Sequence, residues 1–173
     1  SGQRDILDCS RGGAGMLEYE IAAIYYFVAS VVSVHPYFEE VPEDLLVPCV
    51  FYPTPEQDTQ AHSVSTYITN FTMYIKFMDI SSMKAYAMAG LVLQAMTERR
   101  NKIPLVDENG KQTGKHFQLN MPEISKVDAG VYEMKVSWKR YTRYAEDAVI
   151  LARRFFTNGT PIDSENGEGG EDA

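Results

Sequence analysis

The stretch that most constrains this chain runs from Thr66 to Arg100. In its first half, "TYITNFTMYIKFMD", Tyr67, Phe71, Met73, Ile75 and Phe77 fall on one face of an extended chain, and Asn70, Thr72 and Lys76 on the other. That period of two predicts a long strand with one buried face. In its second half, "SMKAYAMAGLVLQAMTERR", the period lengthens. Ala85, Met88, Ala89, Val92 and Met96 form one helical stripe, with Asp79 and Ser81 or Ser82 available as the N-cap. A long strand feeding directly into an amphipathic helix predicts a sheet with helices against it.

A second stretch, "AGVYEMKVSWKRYTRY" at 129–144, begins as another clean strand. Tyr132, Met134, Val136 and Trp138 share one face, and Glu133, Lys135, Ser137 and Lys139 the other. After Lys139 the alternation is expected to break, because basic residues and tyrosines are interleaved. Three readings fit that terminus. In the first, a nucleic-acid surface, cations meet phosphate and tyrosines stack on bases. The second is structural, with a bulged strand end and arginine stems lying over aromatic rings. The third is a protein interface, where Tyr, Trp, Met and Arg are enriched.

The other segments complete an element order. Residues 1–15 are polar and glycine-rich and predict a flexible arm. From Met16, Leu17, Ile21, Ile24, Val28 and Val31 predict a helix that stops before Pro36. Pro48 opens a short strand, "CVFY", closed by Pro53 and Pro55, and "QDTQAHSVS" reads as a polar connection. "NKIPLVDENGKQTGK" contains Asn109-Gly110 and predicts a protruding hairpin or a mobile loop. "HFQLNMPEI" reads as a strand with Phe117, Leu119 and Met121 on one face. "YAEDAVILARRFFTNG" reads as a closing helix over 144–157, stopped by Gly159. The fold class is therefore α+β: an antiparallel sheet of about four strands with helices on one face, a C-terminal helix and a disordered acidic tail. The domain expected is single, spanning 16–157, with 158–173 as the tail.

Charge and motifs exclude more than they include. The formal net charge is −8, but Asp163, Glu165, Glu168, Glu171 and Asp172 place five of those charges in the tail. An acidic chain argues against general nucleic-acid binding. The apolar run "IAAIYYFVASVV" is about half the length that spans a bilayer, so no membrane contact is expected. Cys9 and Cys49 lack metal or redox spacing and read as reduced thiols. The sequons at Asn70 and Asn158 read as chance. His35, His62 and His116 lie in unrelated segments, so no metal is expected. "GKQTGK" misses the phosphate-loop spacing by one residue and has His116 after its lysine. Asp5 and Asp8 near Cys9 lie in the arm, and Glu39, Glu40, Glu43 and Asp44 read as solvated loop surface. No catalytic motif and no cofactor motif is present, so no enzymatic activity is expected.

The run of elements over residues 16–144 resembles the tail terminator (tail completion, or head–tail joining) proteins of long-tailed bacteriophages. The likeness is carried by the opening helix, the "PCVFYP" strand entry and "YITNFTMYIKFMD" leading into "SSMKAYAMAGLVLQAM". "FQLNMPEI" and "DAGVYEMKVSWKRY" then close the sheet. The closing helix and acidic tail are additions to that pattern. The resemblance implies a homo-hexameric ring on the tail tube, contacts with tail tube and head–tail connector or neck proteins, and a genome passing through the bore without specific binding. It also implies location in the virion after assembly in the host cytoplasm. Candidate subunit or tube contacts are Arg99, Arg100, Lys102, Lys139, Arg140, Tyr141, Arg143 and Tyr144. Three alternatives stay open. One is a head-side completion protein of the same assembly. Another is a small-ligand-binding ferredoxin-like domain with 98–115 as its lid. The third is a nucleic-acid module using Lys139, Arg140, Tyr141, Arg143 and Tyr144.

Overall fold

The computed structural model describes residues 14–38, 40–145, 155–157 and 160–162. In chain order the elements are α1 (Ala14–Val31), β1 (His35–Phe38), β2 (Cys49–Tyr52), β3 (Glu56–Ala61), β4 (Thr66–Met78) and α2 (Ser82–Glu98). There follow β5 (Lys102–Val106), β6 (Gln112–Gln118), β7 (Glu123–Asp128), β8 (Val131–Arg143), β9 (Phe155–Thr157) and β10 (Thr160–Ile162). The chain divides into two compact units, residues 1–142 and 143–173.

The first unit is built on β4 and β8, each 13 residues long. They sit side by side in a six-stranded sheet ordered β1-β2-β4-β8-β7, with β3 also paired to β4. The Asp79 N–H donates to Gly130 O at 3.0 Å, and Phe71 stacks on Trp138, so β4 and β8 run in opposite directions. On the other flank of β4, β2 pairs with its last residues and β3 with its first, both antiparallel. Pro53 and Pro55 stand between those two short strands, where a missing N–H interrupts a ladder. β7 joins β8 antiparallel, and β1 joins β2 in parallel.

The architecture is the expected α+β, but the sheet is larger than the four strands predicted and carries one parallel pair. The "QDTQAHSVS" connection is largely β3. All six of its side chains are exposed, so it shows no apolar alternation and is held through its backbone pairing to β4. β1 is hidden in sequence by Pro36, which is tolerated because β1 is an outer strand.

Both helices cover one face. Ile24, Phe27 and Val28 of α1 and Ala89, Val92 and Met96 of α2 pack on Phe71, Met73, Ile75 and Phe77 of β4. Met134, Val136 and Trp138 of β8 complete this core. Each large side chain buried there contributes roughly 1.5–3 kcal/mol. The predicted stripe of α2 is the buried one, with Met88 at its rim. α1 begins at Ala14, two residues earlier than expected. The N-cap of α2 is Ser81, whose side chain makes no cap bond. Asp79 Oδ1 accepts the Ser81 N–H instead, and Ser82 Oγ accepts the Gly130 N–H.

The segment 102–118 is a hairpin. β5 and β6 pair antiparallel around Asn109-Gly110, with Asp107 Oδ1 accepting the N–H groups of Asn109 and Lys111. Ile103 and Val106 turn into the core, and β5 packs on α1. The predicted strand through Met121 is corrected. β6 ends at Gln118, Leu119 makes an isolated bridge to Trp138, and Met121 is 85% exposed. The chain is diverted by Asn120, bonded through backbone and side chain to Ser137, and by Pro122.

In the second unit β9 and β10 form a small antiparallel hairpin with Thr157 opposite Thr160. This corrects two expectations for the residues described: Phe155–Thr157 are not the end of a helix, and Thr160–Ile162 are not disordered tail. The residues between them in sequence, Asn158 and Gly159, are the dipeptide that favours two-residue hairpin connections, not only a helix stop. The rest of the predicted helix (146–154), the arm at 1–13 with Cys9, and the tail at 163–173 lie outside the described residues.

Cys49 is a buried free thiol whose pKa is raised, first by burial and then by the nearby Asp79 carboxylate. It should therefore resist thiol reagents in the folded protein and react once urea unfolds it. Among the described residues no helix is long and apolar enough to cross a membrane.

Among the described glycines, Gly130 makes the tightest approach to other backbone. Its φ is +75°, and a Cβ there would lie 2.3 Å from the Asp79 carbonyl oxygen. Gly130→Ala should cost about 3 kcal/mol or more, read as a fall in the urea midpoint. A midpoint within error of wild type would show that the β7–β8 turn yields freely against the end of β4.

Candidate interface at the end of the long strands

The alternation of β8 does not break at Lys139. Trp138, Arg140 and Thr142 continue the buried or half-buried face, and Lys139, Tyr141 and Arg143 the exposed one. A cation is tolerated at the inward position 140 because α1 supplies its partner. Glu20 Oε2 accepts the Trp138 Nε1–H at 2.6 Å and an Arg140 Nη2–H at 2.7 Å. The guanidinium also lies 5.1 Å over the Phe71 ring, and that ring stacks on Trp138 at 5.4 Å. The structural reading of the arginine therefore holds at Arg140, without the bulge.

The node is largely shielded from water, with Glu20 7% exposed. A carboxylate taken out of water needs both charge and hydrogen-bond compensation, and Arg140 and Trp138 provide them. One donor, Arg140 Nε, stays buried without a protein partner. Arg140, Phe71, Tyr67, Thr69 and Asp58 line an open cleft of about 420 Å³, with Gln57, Asp58 and Thr59 of β3 along one side. Its lining mixes a cation, an anion, hydroxyls and aromatic rings, and nothing in it forms a nucleophile–base pair.

The eight candidate contacts divide by surroundings. Arg140 is committed to Glu20. Lys139, Tyr141, Arg143 and Tyr144 are exposed, with Tyr141 meeting the His62 ring edge-on at 5.2 Å. Arg99, Arg100 and Lys102 lie at the turn from α2 to β5, where Arg100 and Asn101 take positive φ. Arg99 lies over the Phe27 ring at 5.4 Å. That turn is tied toward β8, since Asn101 O accepts the Leu119 N–H and Leu119 bridges Trp138. The nucleic-acid reading loses part of its basis, because one of its three cations is neutralised by Glu20.

Glu20 was missed in the sequence, and a signal for it existed. It stands three residues after Leu17 and four before Ile24, on the apolar stripe of the helix, where an acid needs a buried partner. The histidines fall where scattered structural residues would. His35 packs on Tyr37, His62 on Tyr141, and His116 is exposed on β6. Glu40, Glu43 and Asp44 are exposed loop residues, and among the described residues no cluster of His, Cys, Asp or Glu is arranged to hold a metal.

Comparisons with known proteins bear on this site only at the level of the whole chain. No family model matches it. It is 29% identical over 133 residues to the "Phage-like element PBSX protein XkdJ" of Bacillus subtilis (strain 168), covering 76% of this chain and 91% of that protein. The chain is a relative of a phage-element protein. It is also 26% identical over 132 residues to the uncharacterized protein YqbJ of the same organism, covering 76% of this chain and 90% of that protein. A chain from the virion of a native gene transfer agent particle aligns with 78% of this chain and all of its own length. The identity is 15% and the TM-score 0.43, a level at which a shared fold does not follow.

The node makes a stability prediction. Glu20→Leu leaves Arg140 and Trp138 without their acceptor and should cost about 3 kcal/mol. Glu20→Gln keeps an acceptor and should cost about 1–2 kcal/mol. Adding Arg140→Met to Glu20→Leu should recover part of the loss in a double-mutant cycle by urea denaturation. Strict additivity would show the two side chains to be uncoupled. Tyr141→Ala, on the exposed face, should stay within about 0.5 kcal/mol of wild type.

Proposed function

We propose that this protein is a structural component of a phage-type virion. It forms a ring at the head-proximal end of the tail, terminates the tail tube and joins it to the head, without enzymatic activity. Its partners are further copies of itself in a hexameric ring, the tail tube protein and the head–tail connector or neck proteins; the genome passes through the bore without specific binding.

The observation that carries this reading is the uncovered flank at β3. All six of its side chains are exposed, and among the described residues no strand lies on its outer side. The strand contains no lysine and no proline, two residues that commonly blunt such an edge, and its charge is limited to Glu56 and Asp58. A sheet edge left open in this way favours joining to another chain. The likeness to a phage-like element protein supports the setting, and the resemblance to tail terminators supplies the specific role. Lys139, Tyr141, Arg143, Arg99, Arg100 and Lys102 are the surface residues assigned to subunit or tube contacts. Arg140 acts behind them by holding the end of β8.

The test is native mass over a range of concentrations, followed by negative-stain imaging of any large species. A discrete ring, alone or on addition of tail tube protein, is the expected result. A chain that stays monomeric under both conditions would remove the ring.

A further inference from the structure

Two flanks of the first unit carry opposite charge. On one, Glu56 and Asp58 are exposed on β3, and no cation stands among its six residues. Asp58 also lines the open cleft that contains Arg140, Tyr67 and Phe71. Its Oδ2 accepts the Asn70 Nδ2–H at 2.9 Å, which ties the carboxylate to β4. Arg140 is the other charged group in the lining, and Glu20 already meets its charge at 2.7 Å. Glu20, Asp58 and Arg140 together are two anions and one cation, so the cleft is acidic. An anion beside two aromatic rings suits a long cationic side chain, whose stem is apolar and whose head is charged.

The opposite flank is basic. Gln118 at the end of β6 lies opposite Lys102 of β5, and its Nε2–H donates to Arg100 O at 2.9 Å. The next residue, Leu119, bridges Trp138 of β8, which brings Lys139 beside Gln118. Arg100, Lys102 and Lys139 thus gather from three segments, and all three are exposed. Among the described residues the only ion pair is Arg140–Glu20, so this cluster has no counter-ion there. The carbonyl end of α2 favours a cation at position 99 or 100. It gives no reason for Lys139, which comes from β8.

One row of contacts joins the two flanks across the sheet. Gln57 is opposite Phe71, Phe71 stacks on Trp138, and Trp138 bridges to Leu119. Glu56 and Asp58 stand on either side of the first member of that row. Gln118, with its cations, adjoins the last. A two-fold contact through either flank would set like charges against each other. A head-to-tail contact joins unlike flanks and repeats until the ring closes. Exposed ion pairs add little affinity. Here they select which flanks meet, while the open backbone edge of β3 offers hydrogen bonds.

We propose that the cleft beside β3 receives a cationic side chain from the Arg100–Lys102–Lys139 cluster of the next copy, with Asp58 as its counter-ion. The inference rests on the ring reading and adds to it the two flanks that meet.

The experiment uses full-length charge-reversed variants. Glu56→Lys with Asp58→Lys reverses the acidic flank, and Lys102→Glu with Lys139→Glu reverses the basic one. All four sites are exposed, and circular dichroism checks that each variant is folded. Self-association, alone or with tail tube protein, is followed by sedimentation velocity at low salt, where exposed charges are least screened. Each variant by itself should associate roughly 30-fold more weakly than wild type. Mixed at equal amounts, the two should associate again in alternation, and a chain carrying all four substitutions should also recover. If a reversed variant does not fold, Asp58→Asn and Lys102→Gln replace the pairs, each with a loss of about 5-fold. Association undiminished in the variants overturns this contact and leaves the ring reading intact. Loss in one variant only, or loss in both without recovery on mixing, overturns it as well. Wild-type protein that never associates, even with tail tube protein, overturns the ring reading and this contact together.

Discussion

One carboxylate ties the first helix to the end of the two long strands. Glu20 reaches from α1 to the last inward positions of β8 and binds Trp138 and Arg140 through the same oxygen. The indole and guanidinium in turn pack against Phe71 of β4, so a helix and two strands share one charged node. Without it, a cation would stand on the core face of the longest strand pair with nothing to neutralise it. Because the node keeps β8 regular through Arg143, Lys139, Tyr141 and Arg143 emerge on the exposed face at strand spacing.

That regularity changes how the aromatic–basic terminus acts. An interleaving of cations and tyrosines reads in sequence as one mixed surface, whereas the strand sorts it into two. Arg140 is structural, and its neighbours on the opposite face are exposed. The same sorting separates Arg99, which lies on Phe27, from Lys102 and Arg100 at the α2–β5 turn. The strand end thus has an inner set of contacts that fixes it and an outer set that it exposes.

Much of the framework was legible because the residues that build it are periodic. The buried faces of β4 and β8 and the stripe of α2 follow from spacings of two and of three to four, since each faces a single core. β3 was not legible because a strand held only by its backbone pairing carries no side-chain pattern; its six residues are all exposed. β9 was misread because Phe155 and Phe156 are as compatible with a helix stripe as with a strand, and Asn158-Gly159 ends one element as readily as it joins two. Met121 was misplaced because a period of two continues on paper through a chain that Asn120 and Pro122 turn aside.

The sequence by itself determined the α+β class, the two long strands, the helix between them and the lack of a recognisable catalytic motif. These depend on local periodicity and on residue types at fixed spacings, which need no knowledge of what lies across the core. Only the tertiary structure decided that Glu20 and Arg140 belong together, although they are 120 residues apart in the chain. It alone decided that β3 leaves an open flank and that Arg100, Lys102 and Lys139 gather around Gln118. Pairing across long sequence separations is set by packing, and exposure by what packing leaves uncovered; neither has a local signature.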